Sequence, residues 1–255
     1  MKKALTLITF VILMIILWEV VYRLEIWPSL LFPSIDDIGK SFLSAFTHDN
    51  VLMLIMHSIL LILKGMAIGV GMALVFSSLA IVCEHFSYIY NMIVSLFDMV
   101  PGVALLPLAI LWFGIGEASI IFIVFHSIIW PVSRSIINGF NTVPKLYIEV
   151  GTNLGLNSLK MLSGIYIPSA FSSIISGLRV GWARAWRGLI SAEMIFGTTS
   201  YGAGLGWFIM QKRMNVDISG ILATIVIIVI IGAIVEYLGF GTIERVTVKK
   251  WGTSR

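Results

Sequence analysis

Apolar residues run along this chain in long blocks. The polar positions between them define six segments, each long enough to cross a hydrocarbon layer about 30 Å thick with roughly 20 residues. These run from Ala4 to Tyr22, His57 to Cys83, Tyr88 to Phe113, Ala118 to Phe140, Pro168 to Phe196 and Ile218 to Tyr237. The first follows Lys2 and Lys3 as the core of a secretion signal does, but its apolar run is long and no small-x-small cleavage site follows it. It is expected to stay attached as an anchor. Gly65, Gly69 and Gly71 in the second segment are spaced to let another helix approach closely. Pro101 and Pro107 in the third predict a kinked or broken helix, which a membrane tolerates only where protein or water satisfies the freed backbone groups. The fourth carries Pro131.

Composition agrees with this pattern. Charged residues are 12% of the chain, against about 25% in soluble domains, hydrophobic residues are 58%, and the mean hydropathy is +1.01. No soluble second domain, low-complexity tract or short-period repeat interrupts the segments, so residues 1–255 read as a single all-α transmembrane domain. The one cysteine, Cys83, supports neither a disulfide framework nor a thiolate metal site within one chain. Six spans place both termini on one side. Lys2, Lys3, Lys145, Lys160, Arg245, Lys249, Lys250 and Arg255 fall on that side, whereas Arg23, Lys40, Lys212 and Arg213 fall on the other. The excess of cations assigns the termini to the cytoplasm. It also accounts for the net charge of +4, with no nucleic-acid partner needed.

The polar stretch between the fourth and fifth segments, about 141–168, has an organisation of its own. Asn141 or Thr142 can cap a helix whose first turn holds Pro144. Leu146, Ile148, Val150 and Leu154 give it an apolar face, and Gly155 permits a sharp reversal. Asn157 can cap a second short helix, and Pro168 suits the first turn of the fifth span. Two short helices joined at a glycine make a compact knob for a partner's groove. The alternative is an amphipathic hairpin lying on lipid headgroups.

The sequence of this stretch resembles the cytoplasmic coupling loop of ABC importer permeases. That loop reads Glu-Ala-Ala, three residues, Gly, nine residues, then Ile, any residue, Leu, Pro. Glu149, Gly155, Ile165, Ile167 and Pro168 fall at those spacings, with Val150 and Gly151 in place of the alanines and Ile167 in place of Leu. The segments Asp98–Glu117 and Gly177–Gly197, and the run from Gly202, are similar to the nitrate, sulfonate and taurine branch of these permeases. The resemblance implies a type I importer fold of six transmembrane helices. It also implies a homodimer with the pathway at its interface, two separate ATPase subunits carrying ATP and magnesium, and an extracytoplasmic binding protein. On this resemblance Glu149, Val150, Gly151, Gly155, Ile165 and Pro168 dock the ATPase. The resemblance further implies a small, anionic solute of the nitrate, sulfonate or taurine kind, with a vitamin precursor such as a pyrimidine or riboflavin as the alternative within the same architecture.

The chain carries no engine of its own. Its only Gly-Lys-Ser, Gly39 to Ser41, has Ser34 where a phosphate-binding loop needs its first glycine. His48, His57, His85 and His126 lack metal-ligand spacing, and Asp36 and Asp37 are expected in a solvated loop. Charges inside spans are more telling, because each costs at least about 2.5 to 3.5 kcal/mol at the bilayer centre. Lys64 lies near the start of the second span, Arg134 late in the fourth, and Arg179, Arg184 and Arg187 in the fifth, with Glu193 beyond. Arg184 and Arg187 share one helical face. With Trp186 and Glu193 they are candidates to line an anion pathway; pairing of either arginine with Glu193 or Glu236 is the competing reading. Gly202, Gly204 and Gly206 either bend the chain back into the bundle or form a flexible loop, and Trp207 and Phe208 are expected in an interfacial aromatic belt. Two other classes stay open on residues alone. An intramembrane enzyme would use a Ser–His pair; Ser58 lies beside His57 and Ser127 beside His126, but neither serine sits in a Gly-x-Ser-Gly setting. A proton-coupled carrier would show inverted repeats and an embedded carboxylate pair.

Overall fold

The computed structural model describes residues 2–197 and 202–247, so Lys249, Lys250 and Arg255 lie outside the described residues. Among the described residues every element is helical: α1 (Lys2–Arg23), α2 (Ile35–Thr47), α3 (Val51–Val82), α4 (Glu84–Phe97), α5 (Leu106–Phe113), α6 (Glu117–Asn141), α7 (Lys145–Asn153), α8 (Ser158–Met161), α9 (Ile167–Phe196), α10 (Leu205–Met214), α11 (Ile218–Ile234) and α12 (Gly241–Val246). Among the described residues, four helical runs are long and apolar enough to cross a membrane: α3, α6, Ser158–Phe196 and Ile218–Val246. The bent pair of α4 and 102–113 makes a fifth if it is counted as one span.

The expected break in the third apolar segment is present. α4 and the helical stretch Gly102–Phe113 meet at 92°. Pro101 precedes the 3-10 turn Gly102–Leu105, and Pro107 sits in the first turn of α5, where its missing N–H costs nothing. Gly102 lets the turn lie on α6: a Cβ there would stand 2.5 Å from Ser127 Oγ and 3.3 Å from the Ile123 carbonyl.

α6 is the central helix. In its most apolar stretch 67% of residues are buried, against 22–28% for the other three candidate spans. Lipid supplies no hydrophobic drive between helices, so contact depends on close approach at small residues. α3 meets α6 where Gly65 abuts Val124 and Gly69 abuts Ile128. α9 meets it where Gly177 faces Ser135 and Val132, and where Gly139 of α6 faces Ala170 and Ser173. α4 is tied to the same helix by a buried hydrogen bond of 2.6 Å between the Tyr90 and Ser133 hydroxyls.

Several local expectations are corrected. Asp36 and Asp37 form the first turn of α2, where the helix dipole favours carboxylates, and Ser34 Oγ caps that turn by accepting from the Asp37 N–H at 3.1 Å. Gly39–Ser41 therefore lies inside a helix. Lys64 lies near the middle of the 32-residue α3, not near its end, and pairs with Glu117 at 3.0 Å. Phe208 is core, not belt: it is 2% exposed, because α10 turns back against α9. The turn is made possible at Gly204 and Gly206, where any Cβ would collide with Glu193, which favours the bend over a flexible loop. Lys212 anchors α10 to its surroundings through Asp49 at 2.9 Å and Asp217 at 3.4 Å. Partial burial pulls the Lys212 pKa down, but those two carboxylates outweigh it and hold the ammonium above its usual value.

Two π-helical insertions re-aim the long helices. Leu162–Tyr166 separates α8 from α9, and Pro168 follows it at a position where an unbroken α-helix would place the ring against the carbonyl of residue 164. Val235–Phe240 follows α11, and Arg179 of α9 bonds Glu236 there at 3.0 Å and Glu244 of α12 at 3.1 Å.

Packing of α3 on α6 yields a paired prediction. Gly65→Leu forces a side chain into Val124 and lowers the thermal stability of the detergent-purified protein by about 1–3 kcal/mol. Gly71→Leu, whose Cβ meets nothing within 4 Å, leaves it unchanged. Equal melting temperatures for the two variants contradict this account of the interface.

Candidate functional site

The break between α4 and the 3-10 turn opens a cavity of about 320 Å³. Residues 97–103 form one wall, α6 contributes His126, Ser127, Trp130 and Pro131, and α9 contributes Arg184, Arg187, Gly188 and Ser191. Asp98 follows the last turn of α4. One of its oxygens bonds Arg184 and the other lies 3.2 Å from Arg134. The Asp98 side chain is 12% exposed, while those of Arg184 and Arg134 are 41% and 45% exposed. Arg187 has no ion pair among the described residues, and its Nε donates to the Ala183 carbonyl at 3.1 Å. Its remaining guanidinium N–H groups stay available.

Donors outnumber acceptors around this space. His126 is 4% exposed, and neither of its ring nitrogens has a hydrogen-bond partner. The Ser127 hydroxyl donates to the Ile123 carbonyl at 2.8 Å, and the Ser191 hydroxyl to the Arg187 carbonyl at 2.9 Å. A buried polar group left unpaired costs about 1–3 kcal/mol, so a cavity that sets one carboxylate, itself shared with Arg134, against Arg184, Arg187 and the unpaired His126 favours a further acceptor, and an anion above all.

The four residues selected from sequence as pathway candidates divide. Arg184 and Arg187 line the cavity together. Trp186 and Glu193 do not, because they lie on the opposite, buried face of α9. Trp186 stacks on Trp182, with centroids 5.7 Å apart and planes at 11°, and faces Gly232 of α11. Glu193 is 1% exposed; it accepts from Ser58 Oγ at 2.7 Å and from the Gly206 N–H at 2.9 Å, joining α3, α9 and α10. The competing pairing is also corrected: Arg184 bonds Asp98, and Glu236 bonds Arg179. Sequence reasoning missed Asp98, His126 and Arg134 as one group. The available signal was an aspartate three residues before Pro101 in an apolar segment, where a charge needs a partner.

At one end of the bundle, the stretch 141–168 folds as two short helices. Gly155 turns the chain at φ +68°, a conformation that glycine adopts freely. Asn157 Oδ1 caps α8 by accepting from the Lys160 N–H at 2.9 Å. Neither Asn141 nor Thr142 caps α7; α6 continues through Asn141, Thr142 bonds back to Gly139, and Pro144 takes the N-cap position without a side-chain bond. Gly151 is buried, with space for a Cβ denied by Ile165 and Met161. Val150, Gly151, Leu154 and Ile165 line a hollow of about 400 Å³. Glu149, Leu146, Tyr147 and Val150 are exposed, as are Gly155 and Pro168. Among the described residues no three His, Cys, Asp or Glu side chains group as metal ligands.

The division of α9 into two faces is testable by thiol labelling. In a Cys83→Ser background, single cysteines at Arg187 and Ser191 react with a membrane-impermeant, water-soluble thiol reagent in purified protein, and cysteines at Trp186 and Glu193 do not. The reverse pattern overturns the placement of the cavity.

Residues 65–243, more than half of the chain, match the family described as binding-protein-dependent transport system inner membrane component. A Methanocaldococcus jannaschii protein with an ABC transporter permease description is 35% identical over 144 residues, 56% of this chain and 53% of that one. The taurine transport system permease protein TauC of Escherichia coli is 32% identical over 184 residues, 72% of this chain and 62% of its own length. The nitrate import permease protein NrtB of Synechocystis is 29% identical over 178 residues, 68% and 63% of the two chains. The chain thus spans between about half and two thirds of the length of these relatives. With its helical bundle and its family match in agreement, the chain belongs to the binding-protein-dependent transport system inner membrane components.

Proposed function

We propose that the chain is the permease subunit of a binding-protein-dependent ABC importer and moves a small anion, of the taurine, sulfonate or nitrate kind, into the cell. The observation that carries the anion reading is the donor-rich cavity at the break, where Arg184, Arg187 and the unpartnered His126 converge. Relatives named for taurine and nitrate support the same class. A neutral vitamin precursor would leave Arg187 without a counter-charge. Family membership favours this reading over a proton-coupled carrier or an intramembrane enzyme.

On this reading α1, 22 residues long, joins the five candidate spans to give six, with residues 1–255 one permease domain of the cell inner membrane and both termini cytoplasmic. Two copies pair to enclose the pathway. An extracytoplasmic binding protein delivers solute to one face. Two ATPase subunits, carrying ATP and magnesium, grip the α7–α8 loops through Glu149, Val150, Gly151, Gly155, Ile165 and Pro168. The exposed apolar residues Leu146, Tyr147 and Val150 support that docking role, since water alone gives them no partner. Closure of the ATPases then moves each loop, and α6 and α9, which continue directly into it, carry the movement to the cavity wall.

Coupling is tested by variants in the loop. Glu149→Lys reverses an exposed charge and Gly155→Val strains the φ +68° turn, and each is expected to insert normally, to co-purify poorly with the ATPase and to lose most ATP-driven uptake. Full complex formation and uptake in both variants would falsify the docking assignment.

A further inference from the structure

Three cations around one small cavity pose a problem when the cavity holds no solute. Guanidinium groups within an apolar bundle need counter-charge, and a transport site is empty for part of every cycle. The structure contains one carboxylate at the place where this need arises. Asp98 bonds Arg184 through one oxygen and Arg134 through the other, and of these two arginines only Arg184 lines the cavity. We propose that Asp98 is a resident counter-anion. It holds Arg184 while the cavity is empty and yields it to the transported anion, which then bonds Arg184, Arg187 and His126 together. The inference rests on the anion reading given above.

Position makes Asp98 suited to being displaced. It follows the C-terminus of α4, where the helix dipole is negative and disfavours a carboxylate. Its attachment depends on the two arginines, and Arg134 keeps hold of it when Arg184 leaves. The α-helical ladder ends at Asp98, and only turn bonds from the Met99 and Val100 N–H groups to the Leu96 and Phe97 carbonyls follow it, so the side chain can shift without disrupting a helix interior. An anion entering the cavity meets Arg187 and His126 free of ion-pair and hydrogen-bond partners respectively, so these two form its first contacts and Arg184 is the group exchanged. The site gains one negative charge in the exchange, since Asp98 stays on Arg134, and the added charge is met by Arg187, which has no ion pair while the cavity is empty.

A site with a built-in competitor binds its ligand more weakly than the same site without one, and this sets the sign of every variant. The purified full-length permease is titrated with nitrate and with methanesulfonate at ionic strength held constant by gluconate, and thermal stabilisation is read as apparent affinity. Asp98→Asn removes the competitor and is expected to tighten binding of both probes by at least about tenfold, the weight of a charge-assisted hydrogen bond. Arg134→Gln leaves Asp98 to Arg184 alone and is expected to weaken binding severalfold. Arg187→Gln abolishes it. A purely structural ion pair would instead give weaker binding in the Asp98 variant, and that result overturns the proposal; where Asp98→Asn is unstable, unchanged or tighter binding by Arg134→Gln overturns it. Absence of binding to wild type and to every variant overturns the anion reading itself, whereas wild-type binding with no gain in a folded Asp98→Asn overturns only the counter-anion role.

Discussion

Close contact of α6 with α3 and α9 is the constraint on which the rest of the structure depends. In a bilayer, helices gain little by hiding apolar surface from lipid that is equally apolar, and packing has to come from backbone approach and from polar pairs. Gly65 and Gly69 on α3, Gly177 on α9 and Gly139 on α6 supply the approach. The Tyr90–Ser133 bond and the Ser58–Glu193–Gly206 group supply the polar part. With α6 held in this way, its Pro131 side faces the break after α4 and its far end leads into α7. One helix therefore borders both the charged cavity and the exposed loop.

The cavity follows from the same economy. A proline-broken span leaves backbone and side chains that need polar company, and the bundle provides it with arginines from α6 and α9. Asp98 answers Arg134 and Arg184, which leaves Arg187 and His126 in excess. That excess distinguishes the site from the clasp of Lys212, Asp49 and Asp217 or that of Arg179, Glu236 and Glu244, where each cation meets two carboxylates. Those clusters carry a carboxylate in excess and fix helices; the cavity cluster carries cations in excess and suits a solute of opposite charge.

Much of this was legible in the sequence, and for identifiable reasons. Prolines 101 and 107 announced the broken span because their lost N–H groups cannot be ignored in lipid. Gly155 and Asn157 announced the turn and cap of the short helix pair because few residues perform those backbone tasks. Arg184 and Arg187 were placed together because helical periodicity alone puts residues three apart on one face. Periodicity does not say which face is buried, so Trp186 and Glu193 were grouped with the arginines although α9 turns them towards α11, α3 and α10. Pairing partners far apart in sequence were equally hidden: Asp98 lies 86 residues from Arg184, and only the fold of α4 against α6 and α9 unites them. Asp36 and Asp37 were misplaced in a loop because a short amphipathic helix next to a span reads as polar punctuation until Ser34 is seen to cap it.

The central claim is that the space beside the broken span is an anion site within the membrane bundle. Crystals of the permease grown with bromide as the anion test it directly through anomalous scattering. The account predicts a bromide peak in the cavity, within hydrogen-bonding reach of Arg187 and His126, in each copy of the chain. Bromide found only at exposed cations such as Lys145 or Arg213, with the cavity holding none, would contradict it.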